Sequence, residues 1–554
     1  MGLLIVYAAG RGLVGSAAKP FWCDELLTLA VASRPSLRDL WTALARYDTQ
    51  PPLFYLVERM TLALPIQREI AFRLPSILGF CCTLICVFAY VRKRRGDLIA
   101  CLCATLLLST SLFYTYLVEA RGYSLMVACI AFALVCYQRL PSLRWAALLG
   151  ISLLLAESFH YYAVFAMIPF GLAEAIFVLK IRQVRWSVWL ALSCGALPLI
   201  VFWHLLMSMK EYYGSHVAFS NPALSSLPDY YGAYFFVDSA YGIGLAVIAL
   251  ASISWTRLRM GAATLQWANV SDDDWAEGAL LAGLIILLFF VHRAYGIGLA
   301  VIALAAISWT RLRKGARTLQ RANVSDSDLA ESALLAGLII LPFVIFPIVR
   351  LTHATLTTRY ALPATIGITL GVACALSLAG PRAVALFALI VLSSIGLREC
   401  RFWQMGDRPE SQDVLTLSAG ELAQIEELVE SGKHFDLPVV VGPGLEYMQI
   451  AYYSRASWKS RALYLNDEQK ELSFVGTDSI VKIMAALRES IPLRLADYSE
   501  FTATHREFLL YSDGSVSDWD LAYLNRTAAS VQQLGMRGNR RLYLIGMKKG
   551  PSAD

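Results

Sequence analysis

Apolar residues in this chain come in long runs, not in the narrow stripes of a soluble helix. From Ser76 to Leu397 the runs recur between short polar or basic breaks. Each is close to the roughly 20 residues that cross a bilayer core, and together they predict about thirteen crossings. Met1 to Val14 is apolar but is broken by Gly10, Arg11 and Gly12. The first crossing is therefore marginal and tilted, or the chain starts further upstream; a cleaved leader is the less expected reading, because no clear small-residue cleavage site precedes the acid pair. Residues 36–64 have a different rhythm. Leu37, Leu40, Trp41 and Leu44 share one helical face, and Leu53, Tyr55 and Leu56 continue after Pro51-Pro52, which predicts amphipathic helices on the membrane surface.

Beyond Arg398 the texture changes to short runs. Residues 438–441, 508–511 and 541–546 predict strands, and 446–455 and 478–488 predict helices, an alternation that suggests a small α/β domain. Gly442-Pro443-Gly444 follows a strand but lacks dinucleotide-binding spacing, so it is read as a turn. The expected architecture is a polytopic α-helical membrane protein: a membrane domain over residues 1–397 and a soluble α/β domain over 398–554.

Composition agrees with the pattern. Of 554 residues, 57% are hydrophobic and 16% charged, and the mean hydropathy of +0.54 excludes an ordinary soluble protein. The net charge of +6 matters less than its distribution. Basic clusters at Arg92 to Arg95, Lys180 to Arg185, Arg257 to Arg259 and Arg311 to Arg317 mark cytoplasmic loops. That puts the α/β domain, the Asp24-Glu25 pair, and the turns at 119–123, 158–162 and 350–359 on the outer side of the cytoplasmic membrane. The 11 cysteines lie mostly within apolar runs and suggest neither disulfides nor a zinc site. No nucleic-acid partner is expected.

Ala240 to Leu287 and Ala294 to Leu341 are near-identical copies of a helical hairpin, which adds an even number of crossings. Two such copies suggest a recent duplication or an assembly artefact, not a solenoid. Asn269 and Asn323 each match a glycosylation acceptor, but this topology places both in the cytoplasm.

The candidate chemistry starts at Trp22-Cys23-Asp24-Glu25. Two adjacent acids at the lip of a bilayer are costly unless they face water or a partner. From residue type alone, a functional site and a solvated polar loop are both open readings. Successive residues of a helix point about 100° apart, so the two acids do not share one job.

Six segments, in order, carry a resemblance: Trp22-Cys23-Asp24-Glu25, Gln50-Pro51-Pro52-Leu53-Phe54-Tyr55, Arg73-Leu74-Pro75-Ser76, Glu119-Ala120-Arg121-Gly122-Tyr123, His160-Tyr161-Tyr162 and Arg359-Tyr360-Ala361-Leu362-Pro363. Together they resemble the signatures of the GT-C membrane glycosyltransferases. The similar branch includes the Rgt-type galacturonosyltransferases, protein mannosyltransferases and aminoarabinose transferases. Gln50 stands where many relatives have His or Lys, Gly122 where Pro is common, and the hairpin is doubled.

The resemblance implies a polyprenyl-phosphate sugar as donor and a glycan, lipid or protein hydroxyl as acceptor. A phosphate leaves without needing a proton, so one carboxylate suffices as base. By resemblance Asp24 is the candidate base, and Glu25 binds acceptor or orients its neighbour. Arg121 and Arg359 are candidates for the donor phosphate, since arginine's planar fork suits it. Each is equally an arginine that touches lipid headgroups or pairs with Glu119. Gln50, Glu119, Tyr123, His160, Tyr161 and Tyr360 complete the implied binding set, His160 being also readable as part of an aromatic belt. A divalent ion is compatible with the acids, although no tight ligand cluster is visible. The competing class is a non-catalytic relative or a transporter of lipid-linked glycans. Transporters place polar groups at mid-membrane, whereas here they gather at one surface.

Overall fold

The computed structural model describes residues 1–48, 50–110, 115–213, 227, 326–352, 357–377, 381–405, 417–515 and 518–548. The chain opens with α1 (Gly2–Ala18), α2 (Cys23–Ala32), α3 (Leu37–Ala43), α4 (Pro52–Thr61) and α5 (Arg68–Ser109). Apolar helices follow at Tyr123–Tyr137, Leu143–Phe159 and Ala163–Ile181, then at Asp326–Ile339, Leu341–Thr352, Pro363–Ser377 and Pro381–Met405. Two helices, α5 and Ala163–Ile181, are by themselves long and apolar enough to cross a membrane. A third crossing forms if Leu329–Ile339 and Leu341–Leu351, bent by 55°, act together. Gly2–Ala18, Tyr123–Tyr137, Trp186–Val201 and Pro363–Cys374 are apolar but shorter. The expected count of about thirteen is thus not reached among the described residues. Several runs are split into shorter helices, and the repeat lies outside the described residues except for its last stretch, 326–341.

α5 contains a reversal. Gly12 sits against the Ile77 side chain, and its neighbour Arg11 pairs with Glu399 at 3.1 Å. Arg398 in turn donates to the carbonyls of Leu108 (3.0 Å) and Ser109 (2.5 Å). Residues 77 and 109 therefore lie at one level, although a straight helix would separate them by roughly 48 Å. The chain folds back at Gly96, whose φ of +79° favours glycine. An Arg92–Asp97 ion pair of 2.5 Å spans the turn. The expected runs on either side of the basic cluster are thus two antiparallel limbs of α5.

The segment at residues 36–64 packs against the α/β domain through Leu40, Leu44 and Tyr47. α3 starts with a capping box, in which the Ser36 hydroxyl accepts from Asp39 N (3.1 Å) and the Asp39 carboxylate accepts from Ser36 N (3.2 Å). A π-helical turn, Leu44–Asp48, continues it, and Pro52 at the first turn of α4 restarts the helix. The expected apolar face is divided. Leu40 and Leu44 are buried, whereas Leu37 and Trp41 are exposed, Trp41 lying 6.2 Å from the Phe202 ring.

The α/β domain carries one six-stranded sheet in the order β3-β2-β1-β4-β6-β5. β1 (Val439–Val441), β2 (Ala462–Asn466), β3 (Leu495–Asp497) and β4 (Glu507–Ser512) are parallel; β5 (Ser530–Arg537) and β6 (Arg540–Gly546) extend the sheet antiparallel. The expected strands correspond to β1, β4 and β6, and the expected helices to Gly444–Tyr453 and Ser479–Leu487. α2 is part of this domain's core: Phe21, Leu26 and Ala30 pack in one cluster with Tyr447, Met448 and Met484.

Two consequences are measurable. A Cβ on Gly79 would come within 2.9 Å of the backbone of Ser124 and Leu125, so Gly79→Ala must push two helices apart. A loss of about 1–3 kcal/mol is expected, typical of overpacking, read as a lower unfolding midpoint in detergent. In the α/β domain, burial is the largest cause raising Asp518 to about 7 and Glu471 to about 8. Their unfolded carboxyls titrate near 4, so the folded domain holds protons that the unfolded chain releases. Stability is therefore expected to fall as pH rises from about 4 to about 8. Thermal unfolding of the full chain across that window checks the sign.

Candidate active site

The site begins with an arginine. Arg73 in α5 is fully buried, as is Glu25 in the first turn of α2. Nε of Arg73 donates to Glu25 Oε1 and Nη2 to Oε2, both at 2.7 Å, a two-point geometry suited to a planar fork. Nη1 donates to the carbonyls of Ser16 (2.9 Å) and Lys19 (2.5 Å), and Nη2 also to that of Pro20 (3.0 Å). All five guanidinium N–H groups are thereby used. Glu25 also accepts from Ala120 N at 2.8 Å and Trp22 N at 3.3 Å. Burial works to raise its carboxyl, but Arg73 and then Lys19 hold it below the usual carboxylate range. Glu25 is thus an anchor that ties α2, α5 and the turn at 119–123 together, with no oxygen left for a ligand.

Asp24, one residue earlier, points elsewhere. Its Oδ2 accepts from Arg359 Nη1 at 3.3 Å, and the two side chains remain 20% and 23% exposed. Arg359 comes from a 3-10 turn, Thr358–Ala361, that leads into the Pro363–Ser377 helix. Its Nε is buried without a hydrogen-bond partner among the described residues. The guanidinium lies about 6 Å from the rings of Trp22, Tyr123 and Tyr360.

Arg121 is differently employed. Its Nη1 donates to Asp48 Oδ2 at 3.1 Å and Thr28 Oγ1 at 3.2 Å. The Tyr55 hydroxyl donates to the same Asp48 oxygen, and Thr28 Oγ1 donates to the Asp24 carbonyl at 2.8 Å. Asp48, Tyr55, Thr28 and Arg73 are not among the expected site residues, although Tyr55 and Arg73 stand within the motifs that carry the resemblance. Asp48 could have been found: it is the one acid of the segment that runs from the π-helical turn to Pro51-Pro52. Gly122 follows Arg121 because the turn touches the helix behind it; a Cβ there would lie 2.7 Å from the Phe159 carbonyl oxygen.

Aromatic rings wall the remaining side. His160 lies 4.9 Å from Tyr123 and 5.6 Å from Tyr360, and Tyr360 stacks on Tyr162 at 3.8 Å. His160 Nδ1 accepts from Tyr162 N at 3.2 Å. Burial, then Arg121 and Arg359, push the imidazole down to about 3, so the ring is neutral and carries its proton on Nε2. Tyr161 is buried, with its hydroxyl unpartnered among the described residues, as is Gln50 Oε1. Glu119 is buried, and its carbonyl accepts from Ser76 Oγ at 2.5 Å. The structure thus gathers Asp24, Arg359, Tyr123, His160 and Tyr360 into one group and joins Arg121 to it through Thr28. Among the described residues no three His, Cys, Asp or Glu side chains converge to hold a metal ion.

No family model matches the chain, and no curated protein matches it in sequence. Solved structures similar to it include ArnT from Cupriavidus metallidurans, in the apo state (13% identity, 98% of this chain and 97% of that chain, TM-score 0.41). ArnT bound to undecaprenyl phosphate aligns over the same shares at 13% identity and a TM-score of 0.40. The Archaeoglobus fulgidus oligosaccharyltransferase, in complex with Zn and sulfate, aligns with 92% of this chain and 67% of its own at 11% identity and a TM-score of 0.42. These are GT-C fold glycosyltransferases, the fold that the sequence motifs resemble. Likeness of this degree gives no correspondence between individual residues.

The anchor has a direct test. Glu25→Gln leaves the Arg73 charge buried and unpaired, and breaking such a pair typically costs about 3–5 kcal/mol. The variant should unfold at a distinctly lower temperature in detergent. The double replacement Arg73→Met with Glu25→Leu should recover a large part of that loss, because apolar residues can substitute for a complete buried pair.

Proposed function

We propose that this chain transfers a sugar from a polyprenyl-phosphate donor to an acceptor hydroxyl on the outer face of the cytoplasmic membrane. One observation carries the reading: the partly exposed Asp24 carboxylate rests against Arg359, whose Nε has no partner among the described residues. A lipid phosphate arriving at Arg359 offers that guanidinium a stronger, two-point partner. Asp24 then loses its cation and is released to accept a proton.

The chemistry follows from that exchange. The acceptor oxygen forms a bond to the anomeric carbon as its proton passes to Asp24. The bond from that carbon to the phosphate oxygen breaks, and its electron pair leaves with the lipid phosphate, next to Arg359. Neutral His160 offers Nε2–H as an uncharged donor to the sugar or phosphate, and the rings of Tyr123 and Tyr360 exclude water. Arg121 acts through Asp48 and Thr28 to hold the first turns of α2, and Glu25 fixes the angle at which Asp24 projects. The basic clusters support the outward orientation, and the gathering of polar groups at one level supports an enzyme over a transporter.

Asp24→Asn keeps the shape but removes the proton acceptor, so transfer should fall about 10²–10⁴-fold with donor binding retained, the usual contribution of a placed base. Arg359→Ala should weaken donor binding by about 1.5–3 kcal/mol, the worth of a charge-assisted hydrogen bond. Transfer rate and donor affinity, measured for each variant with a panel of polyprenyl-phosphate sugars, separate the two roles. Near-normal transfer by Asp24→Asn would remove it as base.

A further inference from the structure

The chain between α1 and α2 is held from an unexpected side. Phe21 is fully buried three residues before Asp24, and both of its backbone polar groups are satisfied by side chains of the α/β domain. Its N–H donates to the Tyr453 hydroxyl oxygen at 2.7 Å, and its carbonyl accepts from Gln449 Nε2 at 2.9 Å. Gln449 and Tyr453 sit four apart on the Gly444–Tyr453 helix, the spacing that puts two side chains on one face. Neither contact is casual. Gln449 is fully buried, and its Oε1 accepts from Leu417 N at 2.9 Å, which fixes which end of the amide faces Phe21. The Tyr453 hydroxyl in turn donates a hydrogen bond to Glu69 Oε1 at 2.9 Å, at the start of α5.

The same residue is gripped by α5. The Phe21 ring lies 5.8 Å from that of Phe72, and the Arg73 guanidinium lies 5.1 Å from its centre. A buried backbone N–H and C=O must find partners, and secondary structure usually supplies them. Here the partners belong to side chains more than 400 positions along the chain, so the entry to α2 keeps its path only while the α/β domain is docked.

We propose that Gln449 and Tyr453 are positioning residues: through Phe21 they set where Asp24 stands relative to Arg359, and this makes the α/β domain part of the catalytic apparatus. The inference rests on the reading of Asp24 as base. Misplacing a reacting group by about 1 Å can cost on the order of 10²-fold in rate. The loss should appear in turnover and not in donor binding, because neither side chain approaches Arg359.

The test uses the full chain with Gln449→Met, which keeps the volume and removes both hydrogen bonds, and Tyr453→Phe, which removes only the hydroxyl. Each is assayed for kcat and donor KM, and for amide exchange over residues 20–26 and over the α/β domain. The expected result is a kcat about 10–100-fold lower, KM within about two-fold, and faster exchange confined to residues 20–26. Native kcat in both variants overturns the proposal. So does a loss of activity accompanied by faster exchange across the whole α/β domain, which would make the two residues merely structural. If the wild-type chain transfers no sugar, the proposed function falls on its own, and exchange alone then judges the clamp: unchanged exchange at 20–26 overturns it.

Discussion

One buried ion pair holds the site together. Arg73 and Glu25 lie out of water where each charge alone would be prohibitive, so the fold brings them together with every donor of the guanidinium engaged. This geometry joins four stretches of chain: the end of α1, the start of α2, α5 and the turn at 119–123. A pair of this kind adds little to net stability over a well-packed apolar pair, but losing one partner leaves the other charge buried and unpaired. Asp24 and Arg121 are mounted on elements it fixes, whereas Arg359, Tyr360 and His160 come from elsewhere.

Two neighbouring acids thereby come to have opposite lives. Glu25 is spent on architecture, with all its acceptor capacity occupied, whereas Asp24 keeps contact with water and a single cation. The difference is one helical step of about 100°. The two arginines divide in the same way. Arg121 is committed to Asp48 and Thr28, and Arg359 retains unused donor capacity at the edge of the aromatic wall.

The sequence made the membrane character legible, because runs of apolar residues report their environment directly. Strands β1, β4 and β6 were legible for a related reason: they are short, buried and bounded by turns. β5, with Gln532, Gln533 and Gly535 on an exposed edge and a bulge between 533 and 535, has no apolar period to detect, and β3, as short as β1, is only partly buried. In the candidate site, the Asp24-Glu25 pair stood out by residue type, whereas the choice of Asp24 over Glu25, and of Arg121 and Arg359 for a phosphate, came from the resemblance. Arg73 was visible as the opening of an apolar run, but not as the partner of an acid 48 positions earlier. Gln449 and Tyr453 carry no local signature, since their meaning depends on a backbone they meet only in three dimensions. Periodicity reports the face a residue presents, but not the segment that comes to lie against that face.

The sequence separations within the site also imply an order of assembly. Glu25 meets Arg73 and Ala120 within the first quarter of the chain, whereas Asp24 waits for Arg359, 335 positions later, and Phe21 for residues still further on. As the chain is made from its N-terminus, the partners of the Arg73–Glu25 pair are present early, while the residues that hold Phe21 and pack against α2 are still unsynthesised. Long-range closures of this kind are entropically late. The carboxylate and its cation come together only when the last membrane helices and the α/β domain have arrived, so a chain cut short before them holds neither a fixed entry to α2 nor an assembled centre.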